Sequence, residues 1–253
     1  SIRKFFTRIS FNLRIKISNT KNTGNVVALI QARMGSSRFP NKMLQKLGAY
    51  TILEWVLRRT LKANSIDCVV LATSENKKDS LLGDNAQTLG CNVFYGSESD
   101  VLQRLATAAT FYNADTVVRI CADNPFIDPK EIDRLVLSFR SNACDYACNH
   151  QDRLNSEYAD GFGAEILSND LFQKVNSLAT SSNHREHATL YLWDNPDEFR
   201  LYSLPAPSEL AFPAMKFDID TPEDLENLGD LIKRGVSLQS TACEIIQIAL
   251  SKT

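Results

Sequence analysis

No apolar run in this 253-residue chain approaches the roughly 20 residues that a membrane-crossing helix needs, which excludes a transmembrane helix. Neither G-x-x-x-x-G-K-[ST] nor G-x-G-x-x-G occurs, so the chain has no Walker-type loop and no dinucleotide fingerprint. Internal repeats and low-complexity tracts are also lacking. Acidic residues are missing from two places: residues 1–25, which carry Arg3, Lys4, Arg8, Arg14, Lys16 and Lys21, and the stretch Ile30–Leu44. Beyond residue 25 the balance reverses, with 22 basic residues against 30 acidic ones, a net −8. A body this acidic argues against nucleic acid as its partner. Six cysteines lie scattered, several within apolar stretches, and read as reduced core thiols of a cytoplasmic protein. Cys144, Cys148 and His150 have poor zinc spacing and no evident fourth ligand.

What is present is ordinary for a globular protein: 43% hydrophobic and 23% charged residues, in a chain long enough for one large domain. Strand-like runs at Val26–Ile30, Cys68–Ala72, Asn92–Tyr95 and Thr116–Ile120 alternate with helical patterns from Ile52, over Leu81–Leu89 and over Val101–Phe111. That alternation predicts βαβ units and a mostly parallel sheet flanked by helices, with ligands outside the carboxyl ends of the strands. Asp128-Pro129 and Thr221-Pro222-Glu223-Asp224 predict helix starts, each with a capping side chain followed by proline at the first helical position. A further strand is expected over Met215–Ile219. Residues 144–213 break the rhythm with strands and helices of their own, as a lobe or a small dimerisation arm would. The basic segment 1–25 fits a helix or a strand, and its composition also suits a transit peptide or a membrane surface. It is treated as an extension outside a domain spanning 26–253.

The unopposed positive charge of Ile30–Leu44 directly follows the first strand. Gly35, Ser36 and Ser37 permit a tight turn that offers backbone N–H groups, and Arg33, Arg38 and Lys42 can neutralise phosphates. Asp123 and Asp220 each follow an apolar run expected to end at one side of the sheet. Each also has a plain structural reading, Asp123 as a turn acid before Asn124-Pro125 and Asp220 as a helix-entry acid favoured by the dipole. Arg119 interrupts an apolar strand, so it has a partner or reaches a site. His184 and His187 do not form His-Glu-x-x-His.

Ile30-Gln31-Ala32-Arg33-Met34-Gly35-Ser36-Ser37-Arg38-Phe39-Pro40-Asn41-Lys42 closely resembles the signature of the sugar-acid cytidylyltransferases. The likeness is strongest to the branch named after the spore-coat polysaccharide protein SpsF, with acylneuraminate and KDO cytidylyltransferases as relatives. Asp100–Arg104, Val118–Asp128, His184–Thr189 and Asp218–Leu225 follow in the order that family shows. The resemblance implies a Rossmann-like nucleotide-diphospho-sugar transferase fold. It further implies use of CTP and Mg²⁺ to convert a sugar-acid acceptor into its CMP derivative with release of pyrophosphate, and a homodimer. The family's metal aspartates match Asp123 and Asp220. Gln31, Ala32, Gly35, Ser36, Ser37, Arg38, Lys42, Arg104, Arg119, Cys121 and Ala122 fall where the nucleotide is handled, and Arg33, Arg38 and Lys42 join both aspartates in the chemistry. Arg104 could equally meet the substrate carboxylate or stabilise its own helix. Arg185, Glu186 and His187 are expected to line the acceptor pocket or a dimer contact. Asn124, Phe126 and Phe39 depart from common versions of the motifs. Two other readings stand beside this one: a same-fold transferase with another nucleotide or a phosphonate or alcohol acceptor, and a non-catalytic nucleotide-sensing subunit.

Overall fold

The computed structural model describes residues 23–35 and 39–251. Ser36, Ser37, Arg38 and residues 1–22 of the extension lie outside the described residues. In chain order the elements are β1 (Val26–Gln31), β2 (Lys46–Leu47), β3 (Tyr50–Thr51), α1 (Ile52–Thr60), β4 (Cys68–Ser74), α2 (Ser80–Thr88), β5 (Asn92–Gly96), α3 (Val101–Phe111), β6 (Thr116–Cys121) and α4 (Pro129–Ser141). They continue with β7 (Tyr146–Cys148), β8 (Glu165–Ser168), α5 (Asn169–Leu178), α6 (Ser182–Glu186), α7 (Leu190–Asp194), β9 (Leu201–Ser203), α8 (Pro222–Lys233) and α9 (Ala242–Leu250). β2 and β3 form a small hairpin, and the other seven strands form one sheet in the order β5-β4-β1-β6-β8-β7-β9.

β1 explains why the core has two layers. All of Val26, Val27, Ala28, Leu29 and Ile30 are fully buried, as the central strand of a parallel sheet covered on both faces requires. Val26, Ala28 and Ile30 join one cluster with residues of α1, α4, α8 and α9, while Val27 and Leu29 join the other with α3 and α5. Each buried Val or Ile contributes roughly 1.5–3 kcal/mol of transfer free energy, so a polar residue in β1 would cost both layers. Side chains close the helix starts as expected. Asp128 accepts from Lys130 N–H at 2.8 Å, and Thr221 with Asp224 forms a capping box at 2.8 and 3.2 Å.

Three features differ from the sequence reading. Residues 144–213 contribute β7, β8 and β9 to the central sheet, with β8 antiparallel to both β6 and β7. Met215–Ile219 is not a sheet strand; the segment makes one isolated bridge, Lys216 with Asp160. Gly161 sets its path, because at φ 109° it lies so close to Phe217 that a Cβ would meet the Phe217 backbone at 2.9 Å. Finally, residues 23–25 already belong to the domain. Thr23 is buried, its carbonyl accepts from Thr116 Oγ1 at 2.9 Å, and its hydroxyl accepts from Arg140 at 2.7 Å.

Candidate active site

From β1 the chain runs outward to β4 and β5, and β6 then returns on the other side of β1, so the order reverses between β1 and β6. A crevice opens at the carboxyl ends of strands at such a point. It is a cavity of about 340 Å³, lined by Gln31, Ala32, Arg33 and Gly35 after β1, Lys42 and Met43 beyond them, Cys121, Ala122 and Asp123 after β6, and Asp220 before α8. Val101, Glu186 and His187 complete its wall. The backbone stitches the two strand ends together: Ala122 N–H donates to Gln31 at 3.3 Å, and Ile219 N–H donates to the Asp123 carbonyl at 2.9 Å. That second bond seats Asp220 beside Asp123 without a strand.

Lys42 occupies the centre. Asn41 turns the chain in a left-handed conformation (φ 57°), and Lys42 then points inward, nearly buried. Its ammonium donates to the Ile219 carbonyl at 2.7 Å and lies 3.4 Å from Asp123 and 3.6 Å from Asp220. The two aspartates therefore share one internal cation. Burial raises the Asp123 carboxyl above its ordinary range; Lys42 pulls it down, and Asp220 and Asp218 push it up again. Asp160 is raised to about 7 by burial and by Asp218. Around Lys42, then, the near neighbours are carboxylate and carbonyl oxygens.

Arg33 reaches across the mouth, donating to the Glu98 carbonyl at 3.3 Å and pairing with Glu186 at 3.4 Å. Met34 N–H donates to Asp79 at 2.7 Å, and the buried Asp79 also accepts from Ser74, so β4 anchors the loop from below. Arg104 does not line the cavity. It is fully buried and donates to the Ser97 carbonyl at 2.5 Å, while its Nε and Nη2 have no partner among the described residues. Burial lowers its pKa to about 10. Arg119 faces a neighbouring cavity, where it is ion-paired with Glu165 and donates to Gln31 Oε1 at 3.0 Å. Arg185 is a brace: it grips Asp100, the cap of α3, at 2.7–3.0 Å and the Asn176 carbonyl at 2.7 Å. Of the expected acceptor group only Glu186 and His187 line the site, and His187 lines both cavities.

The pattern that defines the cytidylyltransferase family matches residues 27–246. The chain belongs to that family. Spore coat polysaccharide biosynthesis protein SpsF of Bacillus subtilis is 30% identical over 230 residues, 88% of this chain and 93% of that protein. A 3-deoxy-manno-octulosonate cytidylyltransferase of Trichlorobacter lovleyi is 30% identical over 119 residues, 46% of each chain. Among solved structures, a cytidylyltransferase from Leptospira borgpetersenii superposes with a TM-score of 0.82 at 32% identity, covering 90% of this chain and 98% of that one. The cytidylyltransferase is an enzyme of nucleotidyl transfer, and its α/β sheet with flanking helices is the one the motifs implied.

Sequence reasoning passed over Met43, Asp79 and the neighbouring cavity's Arg153 and Trp193. Asp79 sits in the polar run Ser74–Ser80, where an acid reads as a surface charge, so its burial was not legible there.

Proposed function

We propose that this cytidylyltransferase activates a sugar acid with CTP for surface polysaccharide or glycoconjugate assembly. The observation that carries the reading is the meeting of Asp123 and Asp220 on Lys42 at the strand-order reversal, under a loop supplied with cations. An acceptor hydroxyl attacks the α-phosphorus of CTP, the bond to the bridging oxygen breaks, the hydroxyl proton is lost, and pyrophosphate leaves. Such a transfer is mostly positioning and charge neutralisation. Arg33, and Arg38 by its place in the motif, would hold the triphosphate. Ala32, Cys121 and Ala122 are small groups beside which a base could approach the backbone. The neighbouring cavity, joined to the first at His187, would hold the acceptor.

Mg²⁺ fits the same residues. Asp123 and Asp220 offer hard oxygen ligands, and Asp123 already lies above its ordinary range because burial, with Asp220 and Asp218 nearby, disfavours its charge. When bound, the ion would supply neutralisation of phosphate charge, with Asp123 and Asp220 as its protein ligands. Lys42 would then keep its hold on the Ile219 carbonyl and turn its charge toward phosphate.

The test is pyrophosphate release from each NTP with Mg²⁺ against a panel of sugar acids. CTP with a sugar acid is the expected pair. Turnover only with another nucleotide, or only with a phosphonate or alcohol, would replace this reading, and no turnover despite CTP binding would make the chain a sensing subunit. The same reading assigns residues 144–213 a share in a two-fold homodimer contact. A concentration-independent monomer in sedimentation would end that part.

A further inference from the structure

The second cavity, about 430 Å³, is lined by Arg119, His150, Arg153, Glu165, His187 and Trp193, among others. Its charges do not cancel. Arg119 and Glu165 neutralise each other, and burial lowers His150 to about 4, so its imidazole is uncharged at neutral pH. Arg153 meets no carboxylate among the described residues. Its polar partner is the Gln151 amide, whose oxygen, oriented to satisfy its neighbours, accepts from Arg153 at 2.7 and 2.8 Å and from His150 Nε2 at 2.9 Å. The indole of Trp193 covers its guanidinium at 4.4 Å. The Gln151 oxygen takes the Nε–Nη2 side of the guanidinium, and the outer side, Nη1 with the second Nη2 hydrogen, is the one that can meet a carboxylate two bonds at a time.

The backbone that presents Arg153 is unusual. Leu154, Asn155 and Glu157 have φ of 51°, 57° and 62°, a left-handed conformation that a leucine or a glutamate rarely adopts. The turn is held from inside, with Arg153 N–H donating to Ser156 Oγ at 3.2 Å and Glu157 N–H to Asp152 at 2.9 Å. It is strapped to the domain by Ala206 N–H donating to the Ser156 carbonyl at 2.7 Å. Backbone strain of this kind persists where surrounding structure enforces it, and it gathers at ligand clamps.

We infer that Arg153 receives the carboxylate of the acceptor, so that this cavity selects an anionic sugar over its neutral counterpart, while Arg119 is consumed in structure. The inference rests on CTP occupying the first cavity, which places the acceptor in the second, against His187.

Tryptophan emission tests it on the full chain, because Trp193 lies on the guanidinium that would receive the carboxylate, whereas Trp55 is buried against Phe126. The probes are 3-deoxy-manno-octulosonate and its methyl ester, with CTP affinity measured separately by calorimetry. The acid should change the emission and bind at least tenfold more tightly than the ester. Arg153→Gln should erase that tenfold preference, and Arg153→Lys, which keeps charge but not the planar fork, should restore part of it. CTP affinity should stay within about twofold in both variants. An acid and ester bound alike, no response to the acid, or Arg153→Gln binding the acid as wild type does would each overturn the inference. The acid–ester comparison needs no variant, so misfolding of Arg153→Gln leaves it decisive. Failure of CTP to bind wild type would instead sink the reading of the first cavity and leave the acid preference standing.

Discussion

In the first cavity Asp123 and Asp220 share the single ammonium of Lys42, and burial with neighbouring acids raises both Asp123 and Asp160. In the second, a few residues along the same sheet edge, Glu165 meets Arg119, the Tyr146 hydroxyl at 2.6 Å and the Thr189 hydroxyl at 2.9 Å. There burial also opposes the charge, but Arg119 outweighs it, and the carboxyl falls to about 2. Among the described residues, one cavity gathers two carboxylates on one lysine, and the other sets one arginine against one carboxylate. The comparison teaches how to sort buried charge. A one-to-one buried pair belongs to the scaffold, whereas acids crowded together at a cavity wall mark a place where a ligand's charge can act.

The largest effect expected from that contrast is catalytic. Asp123→Asn and Asp220→Asn should each lower turnover with CTP by about a thousandfold, roughly 4 kcal/mol in the barrier, with little change in melting temperature. Because the two act as a unit, the double variant should be scarcely worse than either single one. Excess chelator should silence wild type to a similar degree. Full turnover in either asparagine variant would place the chemistry elsewhere and dissolve the contrast.

Next comes the opposite outcome in the second cavity. Glu165→Gln leaves Arg119 buried with no countercharge and should destabilise the fold by about 3 kcal/mol, read as a lower denaturant midpoint. A variant as stable as wild type would mean that the pair is not scaffold.

A third test probes the mouth of the first cavity. Arg33→Ala gives up a half-exposed pair with Glu186 and one long bond to the Glu98 carbonyl, so stability should move by less than about 1 kcal/mol. CTP affinity should nevertheless fall about tenfold by calorimetry, as expected for a lost charge-assisted phosphate contact. Wild-type affinity would remove Arg33 from the cradle.

The smallest effects are those of pH, and they differ in sign. Asp160 is raised in the fold, from an ordinary 3.8 to about 7, so its neutral form is favoured there. Its contribution is present at low pH and is lost as pH rises from about 4 to 7. His150 is depressed from 6.5 to about 4, so its contribution is present above 6.5 and is lost as pH falls through that window. Asp160→Asn should therefore raise the melting temperature by about 2 °C at pH 8, shrinking toward zero near pH 4. A gain that grew on acidification would reverse the assignment.

Much of this protein was legible locally. The runs Val26–Ile30 and Thr116–Ile120 became adjacent parallel strands, and Val101–Phe111 became a helix over those same residues. Asp128, Thr221 and their prolines started helices where they stand, because caps and first-turn prolines act within four residues. Asp123, Asp220, Arg33 and Lys42 converge as their motifs implied. Less legible were Met215–Ile219, whose apolar alternation reads as a strand although Gly161 and Phe217 route it past the sheet, and residues 144–213, whose short strands have no partner visible nearby in sequence.

By itself, then, the sequence determined the order of strands and helices, the cationic turn after β1 and the carboxylates that follow the strands. Periodicity, capping and turn chemistry are interactions among neighbours, and neighbours are what a sequence displays. Only the tertiary structure decided which charge meets which. Lys42 reaches Asp123 across 81 residues, Arg119 is neutralised by Glu165 across 46, and Arg104 withdraws beneath the loop to hold Ser97. Whether a buried cation is free for a ligand or consumed by a carboxylate depends on distances of a few ångströms between distant segments, since charges in a desolvated interior act strongly only on what they touch.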